Sequence, residues 1–320
     1  MKKLTFLAIS LGLATGAVSA ADLTVYTAGP KGLSDKLIND YQQVSGKKVA
    51  TYEATTGRIL GRLKAEQARP VADAVILASW PAAMGLQSEG LLHSFEPEHA
   101  EHLREGWNSD NQLFAYSGSA LGITYNTLLV EQAPTSLTSY AEKKWQDQVV
   151  IPDPSESGSA LDFLSGFIAD DADKAWQLFS AWQDNGIDVN GANRPALNQV
   201  VNGSKAVVLA GVDYMGYSEK NKGNPIEVIY PEEGTVIAPR AAMVLKSSQN
   251  KQTAEDFVSY LLSERAQQIV ADEMLLPGRS DVPAHPSRPD YADIKLLDYD
   301  WNWMFDNQAS VTTKFSNMFR

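Results

Sequence analysis

The sequence predicts an α/β protein of two lobes, each a mostly parallel sheet flanked by helices, with a ligand cleft between the lobes. Strand and helix patterns alternate from Leu23 onward, which is typical of parallel sheets. The nearly continuous apolar run from Ala72 to Leu77 indicates a strand buried on both faces. About 300 residues follow the N-terminal leader, which is enough for two lobes rather than one.

The leader has the form of a secretory signal. Lys2 and Lys3 precede an apolar run from Leu4 to Ala17, and Val18-Ser19-Ala20 supplies small residues for cleavage. The run is shorter than the roughly 20 apolar residues of a membrane span. No Cys follows the cleavage point, so we expect no lipid anchor there. The sequence therefore predicts export to the periplasm.

The chain crosses between lobes at two predicted strands, near residues 120 and 240. The strand from Leu121 to Tyr125 enters the second lobe, and the segment from Thr235 to Leu245 returns. Such crossings predict hinge bending between the lobes. The predicted bounds are a signal at 1–20, lobe 1 at 21–118, lobe 2 at 119–238 and a return to lobe 1 with C-terminal helices at 239–320.

The composition narrows the classes of partner. The formal net charge is −12, and loss of Lys2 and Lys3 makes the remaining chain more negative. This sign argues against nucleic acid and anionic membranes as partners. It allows a small anionic ligand, because backbone N–H groups at a helix N-terminus bind one locally. The chain has no Cys and therefore no disulfides or thiolate sites.

The strongest local motif is Ser157-Gly158-Ser159, which follows a predicted strand and Pro154 and starts a helix. Two hydroxyls, the unsatisfied N–H groups of the first turn and the helix dipole make a site for phosphate or carboxylate. An ordinary N-cap explains the same residues. The position at the carboxyl end of a strand favours binding.

A second motif, Thr55-Thr56-Gly57-Arg58, repeats this arrangement in the other lobe. Arg58 offers a bidentate contact to an anion, although a cap followed by a solvated Arg explains the motif too. The two motifs on facing lobes would form a clamp around an anion. Their pairing is stronger evidence for an anion-binding site than either motif alone.

Further candidate ligand contacts lie at other predicted element ends. The turn after the first strand allows the backbone to approach a ligand closely, and a Trp is a candidate for the wall of the cleft. Polar residues of the second lobe offer an amide, a carboxylate and a phenol to a ligand. Each also has an ordinary explanation as turn, core or surface. These candidates are Ala28, Gly29, Ser79, Trp80, Ser119, Asn193, Asp213 and Tyr214.

No catalytic or metal-binding constellation is evident. Of the four histidines, His93, His99 and His102 crowd into one segment and His285 is remote. No HExxH or GxSxG motif occurs. We expect no catalytic residue, no metal ligand and no cofactor.

Over nearly all of its length after the leader, the sequence resembles the periplasmic ferric-ion, phosphonate and sugar-phosphate binding proteins of ABC transporters. The resemblance implies two α/β lobes that close on a ligand and dock on an inner-membrane permease, and we expect a monomer. It is carried by Leu23-Thr24-Val25-Tyr26-Thr27-Ala28-Gly29, Ala72-Asp73-Ala74-Val75-Ile76, Ser157-Gly158-Ser159, Tyr230-Pro231-Glu232-Glu233-Gly234-Thr235 and Leu275-Leu276-Pro277-Gly278-Arg279-Ser280.

The resemblance also separates two ligand classes. Ferric members bind iron with a His after the first strand, a Glu after the third and an adjacent Tyr pair. Here the His position falls at or near Pro30, the Glu position near Ala78 or Ser79, and only Tyr214 remains of the pair, followed by Met215. One hard oxygen donor is too little for tight Fe(III) binding. The phosphate-binding Ser-Gly-Ala-like helix start is retained as Ser157, Gly158 and Ser159.

The sequence thus predicts capture of a small phosphonate or organophosphate, either 2-aminoethylphosphonate-like or sugar-phosphate-like. The specific expectation is 2-aminoethylphosphonate, because Asp213 would pair with its amine. A ferric or ferric-chelate binding protein is the first alternative. An exported phosphoester hydrolase is the second, and it would need a nucleophile or metal site that the sequence does not reveal.

Overall fold

The computed structural model describes residues 21–319, so the predicted signal lies outside the described residues. Within that range no helix combines the length and the apolar character needed to cross a membrane.

The first lobe begins with three strand–helix units. Strand β1 pairs in parallel with β2 on one side and β3 on the other. The amphipathic helix α1 ends at Gly46, which adopts the left-handed conformation that lets the chain turn into β2. The elements are β1 (Leu23–Thr27), α1 (Lys31–Ser45), β2 (Val49–Glu53), α2 (Thr56–Ala65), β3 (Ala74–Leu77) and α3 (Trp80–Ser88).

The strand β5 (Leu113–Asn126), preceded by the short β4 (Asn108–Ser109), is shared by the two sheets. Residues up to Ala120 pair with the first-lobe strands, and residues from Leu121 pair with the second-lobe strands. Every residue of β5 is buried. The sequence predicted only the second half, because the alternation of small and polar residues before Leu121 gives a weak strand signal.

The second lobe repeats the strand–helix pattern. Its strand β6 pairs in parallel with β7 and β8, whereas β8 and β9 are antiparallel to β5. The elements are β6 (Val149–Ile151), α4 (Gly158–Asp170), α5 (Ala172–Asp184), β7 (Asp188–Val189), α6 (Asn193–Val201), β8 (Val207–Val212), α7 (Asp213–Asn221) and β9 (Ile226–Ile229).

The chain then returns to the first sheet. Strand β10 inserts between β3 and β5 and is antiparallel to both, and helices α8 and α9 pack against the first lobe. The last helix, α10, packs against α3 and also against α4 of the second lobe. The elements are β10 (Ile237–Val244), α8 (Lys251–Leu262), α9 (Glu264–Asp272), β11 (Leu276–Pro277) and α10 (Trp301–Met318).

The strand order β2-β1-β3-β10-β5-β8-β6-β7 confirms the α/β class and the two sheet halves. Each half is parallel at its outer strands and antiparallel where the crossing strands run. The domain bounds at 118/119 and 238/239 stay predictions.

A buried ion pair ties α7 of the second lobe to the segment between β11 and α10. Arg288 Nη2 donates to Asp213 Oδ2 at 2.7 Å, and both side chains are 0% exposed. The same oxygen accepts from the Tyr230 hydroxyl at 2.9 Å, and Oδ1 accepts from the Tyr214 N–H at 2.7 Å. Both carboxylate oxygens of Asp213 are therefore engaged inside the protein.

Arg288→Met should lower the free energy of unfolding by about 3–5 kcal/mol, because it leaves a buried carboxylate without its counter-charge. Adding Asp213→Asn should recover part of the loss, since the amide is neutral and still accepts from Tyr230. Urea unfolding measures both variants. Arg265→Met is the matched control, because Arg265 is exposed in its ion pair with Asp40, and such a surface pair should contribute less than about 1 kcal/mol. Equal losses for Arg288→Met and Arg265→Met would contradict this assignment.

Candidate functional site

The predicted ligand contacts gather where helices begin at the carboxyl ends of parallel strands. Ligands of α/β proteins bind at such strand ends. Ser119 is the exception, since it lies within β5. The other positions are Ala28 and Gly29 before α1, Thr55 to Arg58 at the start of α2, Ser79 and Trp80 at α3, Ser157 to Ser159 at α4, Asn193 at α6, and Asp213 and Tyr214 at α7.

Three helix N-termini from the two lobes meet at Gly158. A Cβ atom placed on Gly158 would lie 3.0 Å from Ser79 Cβ and 3.7 Å from Thr56 Oγ1. The start of α4 therefore lies directly against the starts of α2 and α3. The structure thus brings the two sequence motifs together, with Ser79 beside them, and their role as a ligand clamp stays a prediction.

The start of α4 offers hydrogen-bond donors to the cleft. Ser157 Oγ accepts from the Ala160 N–H at 3.2 Å and lies 3.2 Å from Ser159 Oγ. Asn193 Nδ2 donates to Ser159 Oγ at 2.9 Å, while Asn193 Oδ1 is buried without a partner in residues 21–319. The N–H groups of Gly158 and Ser159 lie in the first turn, where a helix has no acceptor for them, and no other backbone acceptor of the described chain reaches them.

The start of α2 is similarly open. Thr55 occupies the N-cap position, but its side chain makes no capping hydrogen bond. Thr56 Oγ1 accepts from the Ala78 N–H at 3.3 Å, which ties this turn to the end of β3. Arg58 is exposed on the first turn. The N-terminus of α2, which has no side-chain cap, and the N-terminus of α4, which Ser157 caps, thus lie together, and each has flanking hydroxyls.

A buried acid lies behind these helix starts. Ser79 Oγ donates to Asp162 Oδ1 at 2.9 Å, which links α3 of lobe 1 to α4 of lobe 2. Burial raises the pKa of Asp162 to about 8, against a smaller lowering by the Ser79 hydrogen bond. Asp162 is therefore mostly neutral at pH 7, and it adds little negative charge beside the N-termini. Sequence reasoning missed it, although an Asp within the apolar run Ala160 to Phe167 is an unusual feature.

The floor of the cleft contains a buried guanidinium that sequence reasoning also missed. Arg240 is 4% exposed and lies within β10. Its Nη2 donates to Ser119 Oγ at 3.2 Å and its Nη1 to the Ala28 carbonyl at 3.4 Å. Its Cζ lies 5.4 Å from the centroid of the Tyr214 ring. The only signal in the sequence was an Arg inside an apolar strand. A strand pattern alone does not show that this Arg lies near Ala28 and Ser119.

Two phenols adjoin this guanidinium. Burial raises the pKa of both Tyr116 and Tyr214 above the ordinary value, although the charge of Arg240 acts in the opposite direction on each. Both are protonated at neutral pH and can donate hydrogen bonds. The Tyr116 hydroxyl is buried without a partner in the described chain and lies 3.4 Å from a Cβ position on Gly29.

Two predicted roles need correction. Asp213 was expected to bind a ligand amine, but its carboxylate is fully buried and engaged by Arg288, Tyr230 and its neighbour's N–H. Trp80 was expected at the cleft wall, but it is 4% exposed and packs in the first-lobe core with Leu86. Within residues 21–319 no group of three His, Cys, Asp or Glu side chains is placed to hold a metal ion.

The free energy of unfolding should depend on pH because of the buried carboxyl of Asp162. An unfolded Asp ionises near pH 4, whereas burial keeps the folded group protonated up to about pH 8. The unfolded state therefore loses the proton first, and Asp162 makes the free energy of unfolding fall as pH rises through this interval. Asp162→Asn removes that contribution and keeps an acceptor for Ser79, so its Tm relative to the native protein should increase from pH 5 to pH 8.

Thermal unfolding at pH 5, 6, 7 and 8 checks this. Asp171→Asn is the control, because its exposed carboxyl has a pKa held below the usual range by Lys174. Its Tm difference should stay constant over these pH values. A constant difference for Asp162→Asn as well would show that Asp162 is ionised in the folded protein.

Comparisons with known proteins agree with this architecture. Residues 69–304 match the family model described as bacterial extracellular solute-binding protein. The chain is 28% identical over 298 residues to the major ferric iron-binding protein of Neisseria meningitidis serogroup A, covering 88% of this chain and 85% of that protein. It is 21% identical over 310 residues to an uncharacterized protein of Haemophilus influenzae, covering 92% and 89%.

Solved structures share the fold. The periplasmic binding protein AfuA from Actinobacillus pleuropneumoniae, with fructose-6-phosphate bound, has a TM-score of 0.86 at 20% identity and covers 93% of this chain and 98% of its own. Iron-bound HitA from Pseudomonas aeruginosa has a TM-score of 0.82 at 21% identity, with coverages of 92% and 98%. At these identities the likeness concerns the fold. The family match, however, spans most of the sequence, and the chain therefore belongs to the bacterial extracellular solute-binding proteins, the components that bind small solutes for ABC importers.

Proposed function

We propose that this protein captures a small organophosphate or phosphonate in the periplasm and delivers it to an inner-membrane ABC permease. The observation that carries the proposal is the meeting of the N-termini of α2, α3 and α4 around Gly158. Helix N-termini favour oxyanions through their free N–H groups and their dipoles.

The chemistry of the surrounding groups supports the same ligand class. Hydroxyls of Ser157 and Ser159, first-turn N–H groups and protonated phenols are donors that suit the several oxygens of a phosphoryl group. Asp162 stays mostly neutral and so does not repel an anion. A structural neighbour, AfuA, was solved with fructose-6-phosphate, which shows that this fold accommodates a phosphoester.

Asp213 is paired inside the protein, and this changes the ligand that we expect. Because its carboxylate is not free to bind an amine, there is no longer a reason to prefer 2-aminoethylphosphonate over other organophosphorus compounds. The proposal is therefore an organophosphate or phosphonate without a required amine. Binding would be followed by closure of the lobes and docking on the permease, with the protein acting as an exported monomer rather than an enzyme.

Ferric ion is the alternative ligand, because relatives are named as ferric iron-binding proteins and Tyr214 remains at a position where ferric members have a tyrosine. One observation weighs against it. The guanidinium of Arg240 lies 5.4 Å from the centroid of the Tyr214 ring, and its fixed positive charge disfavours a bound cation there. A visible tyrosinate-to-iron absorption band on adding ferric citrate would establish the ferric alternative.

A thermal-shift screen tests the proposal on the chain from Ala21 onward. The probes are fructose 6-phosphate, 2-aminoethylphosphonate, inorganic phosphate and ferric citrate, with fructose as the neutral control. A ligand at about 100 times its Kd adds about 2.7 kcal/mol to the free energy of unfolding. We expect an increase in Tm with an organophosphorus probe and none with fructose.

The Ser157→Ala/Ser159→Ala variant should bind that probe at least about 10-fold more weakly for each hydroxyl, because a lost hydrogen bond to a charged group costs about 1.5–3 kcal/mol. Ser204→Ala/Ser310→Ala, which removes two exposed hydroxyls elsewhere, is the matched control. A Tm increase with ferric citrate alone would sink the proposal.

Gly158→Ala tests the contact between the lobes. The added methyl would lie 3.0 Å from Ser79 Cβ, and overpacking of this kind costs about 1–3 kcal/mol. We expect weaker binding of the organophosphorus probe, by about 5- to 150-fold, and a larger radius of gyration by small-angle scattering. Gly61→Ala on α2 is the control, because its methyl meets nothing within 4 Å. Unchanged affinity and radius in Gly158→Ala would show that this contact does not take part in closure.

A further inference from the structure

Arg240 differs from the other buried arginines in lacking a negative partner. In the described part of the chain, Arg279 and Arg288 are buried and form ion pairs with Asp281 and Asp213. Arg240 is buried as deeply but has no carboxylate partner within residues 21–319. Its two hydrogen bonds go to neutral oxygens, at 3.2 and 3.4 Å, and its Nε is buried without an acceptor.

An unpaired guanidinium in this position is costly to the folded protein. A guanidinium keeps its charge in proteins, and burying a charge without a counter-charge carries a large desolvation penalty. The hydroxyl of Ser119 and the carbonyl of Ala28 offset only part of that penalty. A bound molecule that supplies the negative charge would therefore explain why an arginine is buried here without a carboxylate partner.

The groups around Arg240 form a built site. Ser117, its partner in the strand register, has a buried hydroxyl without a hydrogen-bond partner in residues 21–319, and so has Tyr116. Tyr116 and Arg240 lie on the first-lobe side, beside the Ala28–Gly29 turn. Tyr214 faces the guanidinium from the second lobe. An acidic group placed here would contact both lobes and a fixed positive charge.

We propose that Arg240 is the counter-ion for an acidic group of the captured solute, with the Tyr116 hydroxyl as a second donor, and that this pair restricts the protein to oxyanionic solutes. This inference rests on the proposed function, since both require an anionic ligand. It adds the residue that discriminates a phosphorylated solute from its neutral parent. Neither the sequence motifs nor the helix N-termini supply a full positive charge at this point.

The test compares Arg240→Met with Arg279→Met in two measurements. In the ligand-free protein, Arg240→Met should raise the Tm, because it removes a buried charge that has no partner. Arg279→Met should lower the Tm, because it removes the hydrogen bonds that Arg279 donates to Asp281 and to the buried Leu262 carbonyl. A lowered Tm in both variants would show that Arg240 serves the fold, and the inference would be overturned.

The second measurement is calorimetric binding of the organophosphorus probe that gives the largest Tm increase in the native protein. Arg240→Met should bind it about 30-fold more weakly or worse, as expected when one partner of a buried charge pair is removed. Tyr116→Phe should weaken binding while leaving the ligand-free Tm nearly unchanged. Binding of the probe that is indifferent to Arg240→Met overturns this inference alone.

The failure of the proposed function has a different signature. Native protein that binds fructose as tightly as fructose 6-phosphate would overturn both the proposed function and the role of Arg240. Native protein that binds only ferric citrate would overturn the proposed function, and it would overturn the inference as well, because a fixed guanidinium would then lie beside a bound cation.

Discussion

The strand β5 belongs to both sheets, and the position of the cleft depends on this shared strand. β5 is buried along its whole length and pairs with strands of both lobes, so it fixes where the two lobes meet. The parallel strands on either side direct their carboxyl ends, and the helices that follow, toward the space beside it. The starts of α2, α3 and α4 therefore meet around Gly158 although α4 begins more than 70 residues after both α2 and α3.

Local electrostatics, rather than net charge, decides what this cleft can bind. The chain carries a net charge of −12, yet the described cleft groups are helix N-termini, hydroxyls and the guanidinium of Arg240. The one acid at the meeting point, Asp162, is held mostly neutral by burial. If it were ionised, it would cancel much of the field of the helix dipoles. Burial of this carboxyl therefore preserves the field of the helix starts, whose hydroxyl-bearing residues are themselves buried: Thr56, Ser79, Ser157 and Ser159.

The sequence identified the parts of the site that are local in the chain and missed the parts that are not. Ser157-Gly158-Ser159 and Thr55-Thr56-Gly57 are recognisable because a helix start has its own composition. Arg240 and Tyr116 were missed because they are recognisable as site residues only by their contacts with Ala28, Ser119 and Gly29. Those contacts depend on the strand order of the sheet, which the sequence pattern does not give. Asp213 was misassigned for the same reason, since its partner Arg288 is 75 residues away. Helix α10 was covered by the C-terminal helices predicted at 239–320 but was given no bounds, because its apolar positions contact both lobes and show no simple single-face pattern.

A fold that binds ferric ion in some proteins and phosphoesters in others needs a positive charge beside its oxyanion-binding groups, and that charge can have two sources. Donor groups of helix N-termini bind oxyanions, and a positive centre beside them strengthens that binding. In a ferric-binding protein the bound ion is itself the positive centre. In this chain the guanidinium of Arg240 occupies the floor next to Tyr214, and the His position of the ferric pattern falls at or near Pro30, which offers no metal donor. In the proposed function, the positive charge of β10 stays with the protein when the ligand leaves, and it would favour a ligand with its own negative charge over a cation at the same place.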